Sequence, residues 1–203
     1  MADKLLLLRH AVTEASDGKV LLGREDAHLG ETGHTQAEKL AMAVARRKPD
    51  HLVSSPLNRA RETAEPVAEA TGLEVEMETD LQEIDFGRWG GQSFDQIQEN
   101  DPELVEELTE DPAGFTFPEG EKISAFWERV AGVADRLEES GAACPAVVSH
   151  GGVIRGLICH LLRINPDNYL LFRVDYASIS AVDIHEDGGV LAELNNTSHL
   201  DAS

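Results

Sequence analysis

Leu7-Leu8-Arg9-His10-Ala11-Val12-Thr13 ends a short apolar run, Leu5–Leu8, in an arginine and a histidine. A second apolar run, Ala146-Val147-Val148, ends in Ser149-His150-Gly151-Gly152. Short apolar runs bounded by such signals read as buried strands. In an open α/β sheet, ligands gather in the crevice beyond the carboxyl ends of the strands. A glycine-marked helix start adds backbone N–H groups and a positive dipole end suited to an anion. A single histidine after a strand is usually structural, and a single Gly-Gly is usually a turn. Two histidines in the same strand-end setting, one beside an arginine, point instead to phosphoryl chemistry.

Working outward, further strand-like runs fall at about His51–Ser54, Glu74–Met77, Ile179–Ile184 and Val190–Leu194, with the first at about Lys4–Leu8. Helical periodicity fills most of the gaps. Thr32 is an N-cap candidate for a helix reaching Arg47, and Leu57–Ala70 forms another that closes at Gly72. A third runs from Ile123 to Glu139 and stops at Gly141, and a fourth from Val153 to Leu162. Strands alternating with helices predict a three-layer α/β/α sandwich. Its sheet should be mixed but mostly parallel, with about six strands, because the last two are joined as a hairpin through Glu186-Asp187-Gly188-Gly189. One domain is expected over residues 1–203. The stretch 92–121 stands apart as a cap-like excursion, with ten acidic residues and no lysine or arginine. It reads first as a solvated surface segment; if it also overhangs the site, its charge bears on substrate choice.

The chain of 203 residues carries a formal charge of −21, with 41% hydrophobic and 27% charged residues. Such a balance argues against a nucleic-acid partner, since phosphate-backbone binding needs a basic face. Cys144 and Cys159 match neither a disulfide framework nor a zinc spacing. No signal peptide is read at the N-terminus, and no stretch approaches the roughly 20 apolar residues of a membrane span. The expected setting is cytoplasmic, with a homodimer left open.

Cleaving a phosphomonoester needs a nucleophile, a cationic cradle for the phosphoryl oxygens, and an acid for the departing alkoxide. His10 fits the first role. Arg9 offers a planar fork for the second, and Thr13 a hydroxyl from the same loop. In Ser54-Ser55-Pro56-Leu57-Asn58-Arg59-Ala60-Arg61, Pro56 suits the first turn of a helix. Arg59 would then sit near the end where an anion lies, while Arg61 points about 200° away around the helix. His150 adds a donor, backed by the Gly151 and Gly152 amides. No metal or other cofactor is expected, because arginines and histidines already meet the phosphoryl charge.

The blocks LLRHAVT (7–13), LGREDAHLGETGHTQAEKLA (22–41), VSSPLNRARETA (53–64), LQEIDFGRWGG (81–91), FPEGE (117–121) and VSHGGVIR (148–155) resemble, in order, those of the histidine phosphatase superfamily. That resemblance implies transient phosphorylation of His10, with Arg9, Arg59 and His150 holding the phosphoryl group and Glu83 donating the proton. Asp85 is a rival acid on spacing alone, but Gly151 stands where other branches carry an acidic residue, which favours Glu83. Three positions depart from the family pattern: Ala11 and Ser16 replace a glycine and a phosphate-side asparagine, and Gly90 replaces an acidic residue.

Within the family the chain looks most like the α-ribazole phosphatases of cobalamin assembly, through its acid block, the later P-x-G-E and the closing Leu194–Leu200 stretch. The implied substrate is a small phosphorylated molecule with an uncharged aromatic remainder. A broad sugar-phosphate phosphatase is the close alternative. A phosphoglycerate mutase is disfavoured, since no basic residue lies between Arg88 and Lys122. A non-catalytic phosphate-binding module is disfavoured because His10 and Glu83 are both present. Phe115 and Phe117 are left open as stacking residues, and Trp127 is expected in the core.

Overall fold

The computed structural model describes residues 2–15 and 20–201. Its strands are β1 (Lys4–Arg9), β2 (His51–Ser54), β3 (Val75–Met77), β4 (Pro145–Ser149), β5 (Ile179–His185) and β6 (Gly188–Asn196). They form one sheet in the order β3-β2-β4-β1-β5-β6. The first four lie parallel, and β5 runs antiparallel to both of its neighbours. The predicted mixed α/β architecture is therefore present.

The sheet is covered on both faces, and the leucine run of β1 shows why. Leu5 and Leu7 point into one apolar cluster with Val147, Val182 and Ile184. Leu6 and Leu8 point into the other, with Leu52, Ala146, Val148 and Ala181. A strand buried on both sides must be apolar throughout, and each such leucine contributes about 1.5–3 kcal/mol on burial. The second cluster is closed by α1 (Glu31–Ala45) and α2 (Asn58–Thr71), through Ala37, Leu40, Val44, Ala60, Ala64 and Val67. The first is closed by α5 (Ile123–Glu139) and α6 (Gly151–Leu161), through Phe126, Val130, Val133, Ile154 and Leu157.

Element ends shift a little from expectation. α1 starts at Glu31 behind an N-cap at Gly30, not Thr32. α2 is capped by Leu57, so Pro56 precedes the helix and does not sit in its first turn. Gly72 closes α2 at φ +72°, a left-handed cap that costs glycine little.

The acidic stretch forms α3 (Phe94–Asn100) and α4 (Pro102–Glu110). Asp101 binds Arg88 and the Trp89 indole N–H, and Glu121 binds Arg129. The other acidic residues of the stretch are exposed. Its apolar residues turn inward: Ile97, Phe115 and Phe117 are buried, the last two packed on Trp89. Among the described residues, no helix is long and apolar enough to cross a membrane.

Candidate active site

Because β4 lies between β1 and β2, three parallel strands end side by side, and the residues just beyond them meet. His10 leaves β1 with its N–H on Ser149 O at 2.9 Å, and Ser55 leaves β2 with its N–H on Val148 O at 3.0 Å. His150 leaves β4 and caps α6. The His10 and His150 ring centroids are 5.2 Å apart, and both side chains are buried.

His10 Nδ1 lies 2.8 Å from Ala11 O. A carbonyl only accepts, so Nδ1 carries the proton and Nε2 keeps its lone pair. Burial, then the nearby Arg59 and Arg9 charges, hold the His10 pKa well below the usual histidine value. His150 is lowered in the same way, by burial, then Arg59, His10 and Arg9. Its Nε2 lies 2.8 Å from Ser55 Oγ, and Nδ1 has no partner among the described residues. Ala11, the replacement for a glycine, stays outside the left-handed region. Its N–H bonds to Thr63 Oγ1 at 3.0 Å.

Two guanidinium groups border the histidines. Arg9 donates from Nη1 to Val174 O at 2.6 Å and stacks over the Tyr176 ring at 3.8 Å. Arg59 donates from Nη1 to Glu25 O and from Nη2 to Gly23 O, each at 2.6 Å. The Nε donors of both are buried without an acceptor among the described residues. Burial draws both groups down from their ordinary pKa, yet a guanidinium stays charged. Each side chain is thus pinned by its far nitrogens and keeps a donor in reserve.

Glu83 accepts the Gly152 N–H on Oε2 at 3.0 Å and the Ile84 N–H on Oε1 at 3.0 Å. Asp85 turns elsewhere: it accepts the Gly87 N–H at 2.9 Å and faces Arg24 at 3.8 Å. The Gly152 amide, expected to help hold phosphate, serves Glu83 instead.

Of these groups, Arg9, His10, Arg59 and Glu83 open into a cavity of about 600 Å³, and His150 is not among its described lining residues. Arg9, His10, Arg59, Glu83, Gly151 and Arg155 form its polar end. The rest is mostly apolar, with Leu21, Phe86, Phe94, Leu108, Phe126, Trp127, Tyr169 and Leu170 among its walls beside Thr109 and Asp167. Trp127 packs against the core as expected, partly buried, and also lines the cavity, beside Phe126 and Tyr169. Thr13 is buried and bridged to Leu29, and it is not among the described lining residues. Ser16 lies outside the described residues. Arg61 points away and meets Asn58, as its position on the helix predicts.

Two site residues went unremarked in the sequence. Arg155 is one helical turn beyond Gly151, a spacing that places both on one face of α6; its Nε donates to Phe172 O at 2.8 Å. Tyr176 comes from a loop held by Asn195, whose side chain bonds Asp175. Those bonds give Asn195 of the closing stretch a role in placing Tyr176 beneath Arg9.

The fold and the strand-end histidines define a phosphoryl-transferring α/β enzyme. The chain belongs to branch 1 of the histidine phosphatase superfamily, whose family model matches residues 5–197. Phosphoserine phosphatase 1 of Hydrogenobacter thermophilus is 35% identical over 198 residues, spanning 97% of this chain and 94% of that protein. The α-ribazole phosphatase of Shigella flexneri superposes with a TM-score of 0.87 at 30% identity, over 95% of this chain and 96% of that one. A mycobacterial glucosyl-3-phosphoglycerate phosphatase gives 0.86 at 31% identity, over 97% and 100%. The protein is a phosphatase of this superfamily.

Proposed function

We propose that the protein hydrolyses phosphomonoesters through a phosphohistidine at His10, on small substrates whose remainder is uncharged and carries an aromatic ring. α-Ribazole 5′-phosphate, of cobalamin assembly, is the candidate substrate. The observation that carries this reading is the polarity of the cavity, with Arg9 and Arg59 beside His10 at one end and mostly aromatic or aliphatic side chains along its remaining walls.

In the first step the Nε2 lone pair of His10 attacks phosphorus. The bond to the leaving oxygen breaks with its electron pair, and protonated Glu83 supplies the proton that makes it an alcohol. Arg9 and Arg59 meet the phosphoryl oxygens with their free Nε donors, and His150 adds a donor from Nδ1. In the second step water attacks the phosphohistidine, Glu83 takes the water's proton, and the N–P bond breaks to release phosphate and neutral His10. The positive charge for both steps comes from side chains, so turnover in the presence of chelator is expected.

Phosphoserine is a second reading, favoured by Arg155 and Asp167, which put opposite charges on the cavity wall. The deciding experiment is phosphate release by wild type and His10→Ala, with chelator present. The substrates are α-ribazole 5′-phosphate, phosphoserine, 3-phosphoglycerate and plain sugar phosphates. A strong preference for α-ribazole 5′-phosphate, abolished in the variant, supports the reading. Preference for phosphoserine replaces the substrate and keeps the mechanism, while equal, slow rates on all esters favour a broad sugar-phosphate phosphatase. Turnover by His10→Ala at the wild-type rate would sink the phosphohistidine.

A further inference from the structure

Glu83 sits on a loop without regular strand or helix, yet its carboxyl must meet the leaving oxygen. What fixes that loop is Arg129 of α5, which reaches its backbone. Its guanidinium donates to three carbonyls of the acid block, Asp80 O at 2.6 Å, Gln82 O at 2.7 Å and Glu83 O at 3.1 Å. Its Nε and Nη2 also bind the two carboxylate oxygens of Glu121, at 2.7 and 2.9 Å. Glu121 in turn accepts the Asp85 N–H at 3.2 Å and donates its own N–H to Asp85 O at 2.9 Å.

The two blocks touch backbone to backbone. A Cβ on Gly87 would lie 2.2 Å from Pro118 O, and one on Gly120 would lie 2.4 Å from Asp85 O. Gly87 also takes φ +51°. The two motifs LQEIDFG and FPEGE, far apart in sequence, are therefore one object joined through Arg129. Burial works against a charged Glu121, but the hydrogen bonds and charge of Arg129 outweigh it and hold its carboxyl below the usual range.

We propose that Arg129, with Glu121, is the positioning residue for the proton donor, holding the Glu83 backbone from behind while Gly152 holds its carboxyl from in front. The proposal rests on Glu83 being the acid. A lysine cannot replace this fork, because one ammonium cannot meet three carbonyls and two carboxylate oxygens together.

The test separates acid placement from general damage by leaving-group chemistry. First-turnover release of the phenol is followed for 4-nitrophenyl phosphate, whose leaving group needs little protonation, and for phenyl phosphate, whose leaving group needs more. In Arg129→Lys, 4-nitrophenyl phosphate is expected within about threefold of wild type and phenyl phosphate slowed by about tenfold or more. Glu83→Gln serves as the reference and is expected to show the same split. Equal slowing of both esters in Arg129→Lys, or none, overturns the positioning role. A Glu83→Gln enzyme that slows both esters equally removes the acid role itself, a separate failure. Should Arg129→Lys not fold, Glu121→Gln, which keeps the shape and removes the charge, decides by the same ratio.

Discussion

The Gly152 N–H donates to Oε2 of Glu83 at 3.0 Å, across 69 positions of chain. A Cβ on residue 152 would stand 2.4 Å from Glu83 Oε1, so the carboxyl and a side chain cannot share the space. Gly152→Ala should leave the fold intact, since the atom that must move ends a flexible side chain. It should lower kcat by about 10- to 100-fold by displacing the acid. Steady-state kinetics beside a thermal melt check this; wild-type kcat in a folded variant would count against it.

His10 and His150 make the fold sensitive to acid. Both have pKa values held well below the usual 6.5 in the folded protein, by burial first and then by the arginines. Below about pH 6.5 the unfolded chain takes up protons that the folded one refuses, so stability falls as pH falls. The slope is about 1.4 kcal/mol per pH unit for each histidine until its folded pKa is reached. Denaturant unfolding from pH 7.5 to 5.5 should show this slope, and His10→Gln should remove one histidine's share of it. Parallel curves for the two proteins would refute the assignment.

Arg59 is anchored through its Nη atoms to Gly23 O and Glu25 O, which fixes the orientation of its fork. Arg59→Lys should therefore fail to rescue: KM is expected to rise by about tenfold or more. The His10 limb of the pH–rate profile is set by the neighbouring arginines as well as by burial. In Arg59→Gln, with that charge gone, the limb should move up towards the ordinary histidine range. A limb that stays in place would show that Arg59 does not act on His10.

The cavity wall makes a prediction about selectivity. Trp127→Ala should cost about tenfold in kcat/KM on an ester with an aromatic remainder and leave glycerol phosphate nearly unchanged. Equal losses on both would mean that Trp127 shapes the fold and not the leaving-group chamber.

How much of this was legible in the sequence follows from distance along the chain. β1 announces itself because a strand buried on both faces is apolar at every position, and the strand-end histidines follow from it. Glu83 was found through its block, but nothing in that block says its carboxyl meets Gly152. Tyr176 and Arg129 were missed because their roles are contacts with distant backbone, which leave no period or spacing. Trp127 was read only by half for a related reason: a helical face that meets a cavity carries the same apolar pattern as one that meets the core, and this ring does both. The acidic stretch 92–121 was read first as a solvated surface segment, and most of its charge does face solvent; its contribution to the chamber comes from Phe94, Leu108, Thr109, Pro112 and Phe117, none of them charged.

The insertion of β4 between β1 and β2 also sets an order of assembly. A nascent chain that has reached residue 144 already holds Arg9, His10, Arg59 and Glu83, but nothing seats β1 beside β2. In the register, β1 meets β4 from Leu6 against Ala146 and β2 meets it from His51 against Pro145, partners that lie far apart along the chain. Contacts so distant form slowly, after the loops between them have closed. The pocket at the strand ends thus needs β4 in place, and a polypeptide that stops short of it carries these side chains without the strand that gathers them.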